Sequence, residues 1–463
     1  MLDLIIVLLY LFCLVFIGLY SSKVKSYDQY GAGGKQYSAI IIFCTLTSSY
    51  VGGGFTIGLS EKTFSYGILY ILAMFGFSLK EILIAKYLAP KMAYFQKNCA
   101  TTGDIMELSY GRIGRLLTGF ASIIVCGGII GAQFAACGNI LHTFFELKFS
   151  HGVILTAIVI VSYVSFGGLK SVIRVNVMNF IILFIMIFLI CFFSLYKLGG
   201  VSQFLTLPPK SYFSPTGNLG YLALFILFVS FFFGETLVPP YTQRLLIGTS
   251  TTETKKGTLY SGLVSILIFS AVGLIGMVSY VLKPSLEPNL AFPYAVSEVL
   301  PNGLRGLGVV AMLAIIISSA DAFLNAISIA IKKDIIEPIF GEKNTDLKHK
   351  LRSSRIITII TALIATIFAL STESVIDILL YSYQFWTPFI LVPLVAAIYQ
   401  IRTSKETFLI SSIAGIGTVI LWNSFSTYSS PVKGSLEGVV LGIIVNFIVF
   451  VMLRFTKLNR AQK

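Results

Sequence analysis

Runs of about 20 apolar residues recur along the whole 463-residue chain, and each is long enough to cross the hydrocarbon core of a bilayer as a helix. A backbone in lipid must satisfy its own hydrogen bonds, so runs of this length commit the chain to a bundle of membrane helices. About thirteen are read, at 2–21, 38–60, 66–89, 114–141, 151–166, 176–197, 219–239, 258–282, 304–331, 355–371, 376–400, 407–423 and 437–454. The first lacks a basic start and a small-x-small cleavage site, so it reads as a retained span and not a signal peptide. No loop between runs is long enough for a soluble domain, and 1–463 reads as one membrane domain.

The net charge of +14 raises nucleic acid as a partner, but its distribution excludes that reading. With the N-terminus outside and the C-terminus cytoplasmic, most Lys and Arg fall in inside loops, as in the 343–355 segment "KNTDLKHKLRSSR". The expected location is the plasma (inner) membrane, with the basic loops meeting anionic lipid. Six cysteines lie mostly within spans without paired spacing, which predicts free thiols. H-E-x-x-H, Walker and G-x-S-x-G signatures are missing, so the chain does not read as an enzyme.

One span is weakened at its centre. The stretch "TLTSSYVGGGFTIGL" places Thr47, Ser48, Ser49 and three glycines, 52–54, inside an apolar run. Glycine is about 1 kcal/mol worse than alanine in a helix interior. A second span, "SFFFGETLVPPYTQR" at 230–244, is broken by Gly234, Pro239 and Pro240. Setting aside the first span and the last two leaves ten, in two sets of five, 38–197 and 219–400, and each set opens on a broken span. Five is odd, so the sets cross in opposite directions, and matched breaks in inverted halves point to a transporter binding site. The competing reading is close helix packing at the glycines.

The segment 311–334, "AMLAIIISSADAFLNAISIAIKKD", carries Ser318, Ser319 and Asp321 in a long apolar helix. Hydroxyl and carbonyl oxygens are what a hard cation such as Na⁺ accepts in place of water. The competing reading has the serines bonded to their own helix. An intramembrane Asp is a functional hypothesis by default.

"SSADAFLNA" followed by "KKDI" resembles the sodium/solute symporter family, as do "SFGGLKSVIRVNVMNF", "PPYTQRLLIGTS" and "YVGGGFTIGL" in their order along the chain. The resemblance implies an all-α LeuT-like fold of five-plus-five inverted repeats, with one extra helix at 2–21 and two at 407–454. It also implies a Na⁺ site of the Ser318 and Ser319 hydroxyls with carbonyls near Ile315, Ile42 and Thr45. Asn176 stands where some members have an aspartate. That amide predicts a single coupled Na⁺, unless Asp321 points into the same pocket.

The expected function is Na⁺-coupled import of a small organic solute by alternating access, by a chain that works as a monomer. Thr47, Ser48, Ser49, Phe231, Gly234, Glu235, Tyr381 and Gln384 are the expected substrate lining, and Asp321 and Asn176 candidates for ion coupling. Glu235 has two open roles, meeting a substrate amine or hydroxyl, or capping freed amides and pairing with Arg244. Lys80 and Glu81 are expected to snorkel or pair at the cytoplasmic side. No arginine lies mid-span in 114–141, which tilts the solute toward neutral, zwitterionic or cationic. The rival readings are a ligand sensor and a proton-coupled symporter. Only nine residues follow the last span, which leads us to expect no attached signalling module.

Overall fold

The computed structural model describes residues 2–21, 26–31, 34, 36–301, 303–341, 346–371, 375–425 and 436–455. Among them every regular element is helical, apart from a single bridge pairing Tyr37 with Gly248. The main helices are α1 (Leu2–Tyr20), α2 (Ala39–Tyr50), α3 (Leu59–Tyr66), α4 (Ile68–Leu83), α5 (Thr102–Phe145), α6 (Phe149–Leu198) and α7 (Gly220–Phe233). They continue with α8 (Pro239–Leu246), α9 (Thr251–Leu282), α10 (Arg305–Ala330), α11 (Leu347–Ser371), α12 (Val375–Ile398), α13 (Lys405–Phe425) and α14 (Leu436–Arg454).

Nine helices among the described residues are long and apolar enough to span a membrane, or ten if the bent 39–66 pair is one span. The runs 151–166 and 176–197, read as two spans, are the two arms of the 50-residue α6, separated where the backbone leaves the helix at Gly168. A straight helix of that length would measure about 75 Å, more than twice the hydrocarbon thickness. It bends at Gly168, whose φ of 55° suits glycine, and a Cβ there would lie 2.5 Å from the Tyr30 carbonyl oxygen.

Both expected breaks are present. The pair Ala39–Tyr50 and Gly54–Tyr66 meets at 68°, with a π-helical turn at Gly54–Gly58. The second break separates α7 from α8, with Leu237 at φ 54° and prolines opening α8, where no helical amide partner is needed. The broken helices are tied together at one end. The Ala39 amide donates to Glu253 Oε2 at 2.6 Å, and Tyr37 exchanges backbone bonds with Ile247 and Thr249.

At the centre stands α10, buried at every residue from Gly308 to Ala330. A helix that is apolar all round belongs inside a bundle. It packs against α5 and α6 and touches both broken helices. Its polar residues therefore face protein on every side, and each needs a partner.

Candidate functional site

The first break determines which carbonyls are free. In α2 the Val51 amide still bonds the Thr47 carbonyl at 3.0 Å. Beyond it the pattern fails: the Gly52 amide turns back to Tyr50, and the Gly53 amide goes to Gln133 Oε1 at 3.3 Å. The last carbonyls of a helix have no amide of their own. Here Ser318 Oγ donates to the Ser48 carbonyl at 2.8 Å and Ser319 Oγ to the Ser49 carbonyl at 2.7 Å. Ser318 Oγ also reaches the carbonyl of Ile315, at 3.0 Å, on its own helix.

The carbonyls that meet the α10 serines are those of Ser48 and Ser49, further along α2 than the Ile42 and Thr45 named from the resemblance, which lie inside the helix. Ile42 packs instead with Leu169, Ile173 and Ile247. The Thr45 carbonyl accepts from the Ser48 and Ser49 hydroxyls at 3.3 and 2.6 Å. Its own buried Oγ1 makes no hydrogen bond among the described residues. Gly52 must be small: a Cβ there would lie 2.6 Å from Ser319 Oγ and 3.3 Å from Gln133 Nε2.

Behind the serines, Asp321 faces α6. Tyr163 donates to its Oδ2 at 2.6 Å. One end of the Asn176 amide, set to donate, lies 3.1 and 3.2 Å from the two Asp321 oxygens. The other end lies 3.4 Å from both Ser49 Oγ and the Ser318 carbonyl. The facing helix thus sets the Asp321 carboxylate against the Asn176 amide.

The expected substrate residues divide. Thr47 turns toward α9, with its hydroxyl 2.9 Å from Ser261 Oγ. Phe231 stands across the breaks from Phe55, ring centroids 6.4 Å apart, and Phe55 also meets Phe77 and Phe269 at 5.1 and 5.8 Å. The Gly234 carbonyl accepts from Thr387 at 2.8 Å. Glu235 is buried and accepts from the Tyr241 hydroxyl, while Arg244 reaches Gln243 Oε1 at 3.1 Å. Gln384 is buried and accepts from Asn423 at 2.9 Å. The side chain of Tyr381 falls outside the described residues.

Lys80 does not snorkel. It pairs with Glu81 at 3.0 Å, both side chains are 3% exposed or less, and its ammonium lies 3.4 Å from the Phe77 ring centre. Reading the sequence overlooked Gln133 and Tyr163. A lone Gln within an apolar run was a usable signal for the first; a tyrosine in a span gives none.

Among the described residues no cluster of His, Cys, Asp and Glu has the makings of a metal site, and every cysteine is free. The oxygens around Ser318 and Ser319 form a neutral set of two hydroxyls and three carbonyls, suited to a small hard monovalent ion.

The sodium:solute symporter family model matches residues 30–415. The chain is 26% identical to the high-affinity choline transporter 1 of Drosophila melanogaster over 80% of its own length and 62% of the relative's. It spans 53% of the human sodium/iodide cotransporter. It is 24% identical to the sodium/pantothenate symporter of Escherichia coli, covering 88% of this chain and 87% of that one. The structure superposes on a Na⁺-coupled sialic acid symporter in a substrate-bound outward-open state, with TM-score 0.86, 17% identity, and 98% and 97% of the two chains covered. A match across most of the chain, on an all-helical LeuT-like fold, places this protein in the sodium:solute symporter family.

Proposed function

We propose that this protein is a Na⁺-coupled symporter that imports a small organic solute by alternating access. The observation that carries the reading is the seating of Ser318 and Ser319 on the two carbonyls released at the first break. Na⁺ binding there would exchange hydroxyl–carbonyl bonds for ion–oxygen contacts and tie α10 to the broken helix. The ion would then favour whichever state brings the two together, and it shifts the equilibrium only by its differential affinity for the two states. The sets 38–197 and 219–400 would rock against each other, in a plasma membrane with the N-terminus outside.

The solute would bind between the two breaks, near Phe55, Phe231 and Glu235. Relatives act on choline, pantothenate and sialic acid by name, so membership alone does not choose among solutes. Glu235 favours a neutral, zwitterionic or cationic one. The test is uptake into proteoliposomes of solutes preselected by thermal shift in Na⁺ against K⁺. Accumulation should require an inward Na⁺ gradient. Accumulation driven equally by a proton gradient without Na⁺ would transfer the coupling to Asp321, whose burial beside Tyr163 supports that second reading.

A further inference from the structure

Where α10 ends, a small cavity opens between it, α8 and the start of α5. Thr101, Thr102, Ser122, Gln243, Ala330 and Asp334 are in its wall. Two of these wall residues carry buried oxygens that make no hydrogen bond among the described residues: Asp334 Oδ2 and Thr102 Oγ1. Asp334 is 1% exposed and Thr102 3%.

The other oxygen of Asp334 is occupied. Thr101 Oγ1 donates to Oδ1 at 2.7 Å and Arg115 Nε at 3.3 Å. Arg115 is shared further, with Asp104 at 2.8 Å and Glu107 at 2.6 Å. Three carboxylates around one guanidinium leave a formal excess of two negative charges. A buried carboxyl oxygen without a partner is costly, and the site has the composition to relieve that cost with a cation. Carboxylate, hydroxyl and amide oxygens are hard ligands, and no thiol or imidazole is among them.

The cavity also lies on the helix face that carries Ser319. Ser319, Ala326, Ala330 and Asp334 follow one another at steps of seven, four and four residues, which keeps them on one face of the helix. Ala326 and Ala330 are both in the cavity wall. At 1.5 Å per residue, Ser319 and Asp334 are about 22 Å apart along the axis. The basic-loop pattern assigns the Asp334 end to the cytoplasm.

We propose that this cavity is a second Na⁺ site, at which Asp334 Oδ2 and Thr102 Oγ1 hold the ion after it leaves Ser318 and Ser319. The proposal rests on the Na⁺-coupled reading above. The test is equilibrium binding of radioactive ²²Na⁺ to the purified full chain in nanodiscs, with K⁺ as the balancing ion. Wild type should show two saturable phases. Asp334→Asn should remove one phase or weaken it at least tenfold, and leave the other. Thr102→Val, which keeps the Arg115 ion pairs and the side-chain shape, should weaken the same phase. Ser319→Ala should affect the other phase. A single phase, lost in Ser319→Ala and unchanged in Asp334→Asn and Thr102→Val, would overturn the second site and keep the coupling. No saturable ²²Na⁺ binding at all would overturn both.

Discussion

Substituting Gly52 by alanine tests the central site without removing any of its oxygens. The added methyl would lie 2.6 Å from Ser319 Oγ, closer than real side chains approach. The easiest relief is rotation of Ser319 to another staggered rotamer, because a serine has a single χ torsion. That rotation breaks the 2.7 Å bond to the Ser49 carbonyl and aims the hydroxyl away from the break. A buried acceptor left unmade costs about 1–3 kcal/mol. Against it, replacing glycine restricts the unfolded chain and returns about 0.4–1 kcal/mol. Net stability should therefore fall by no more than about 2.6 kcal/mol, within the usual range for single substitutions. Na⁺ affinity has no such offset. Losing one aimed oxygen, at about 1.4 kcal/mol per tenfold, should raise the half-saturating Na⁺ concentration about tenfold or more. The assay is the Na⁺ dependence of thermal stabilisation in nanodiscs, read against K⁺, since a ligand that binds only the folded state raises its stability with concentration. Gly58→Ala is the control, because its added methyl would meet open space beyond its own turn of helix. Unchanged Na⁺ affinity in folded Gly52→Ala, or an equal loss in Gly58→Ala, would refute the placement of Ser319 at the ion.

Ser319→Ala should also weaken Na⁺ binding, by on the order of 1–2 kcal/mol for one neutral oxygen, with insertion intact; uptake with an unaltered Na⁺ dependence would count against the site. Glu235→Gln keeps shape and removes charge, so affinity for a cationic or zwitterionic solute should fall much more than affinity for Na⁺. Equal solute binding by mutant and wild type would return Glu235 to a structural role, as an acceptor for the Tyr241 hydroxyl. Asp321 faces Asn176 and Tyr163, so Asp321→Asn should change the ion-to-solute ratio obtained from reversal potentials in proteoliposomes. An unchanged ratio would reduce Asp321 to a structural partner of Tyr163.

The chain alone determined everything that depends on local pattern. Apolar runs of membrane length leave a helical bundle as the way to satisfy the backbone, and α-helices are what the structure contains. Gly52–Gly54 and Pro239–Pro240 marked the two breaks, because glycine and proline act on the backbone wherever they stand. Ser318, Ser319 and Asp321 stood out because oxygen-bearing side chains inside an apolar helix must find partners. Which partners they find was decided by tertiary packing. Ile42 and Thr45 against Ser48 and Ser49 is a shift of several residues along one helix, and periodicity cannot say which turn of α2 meets α10. The meeting of Asp321 with Asn176, and of Asp334 with Arg115, joins residues 145 and 219 apart in the chain. For Lys80 and Glu81 the sequence left snorkelling and pairing open, and packing decided for a buried pair with the ammonium over the Phe77 ring. Period and composition act over a few residues, whereas the pairing of buried charges is a property of the packed helices and exists only once they are assembled.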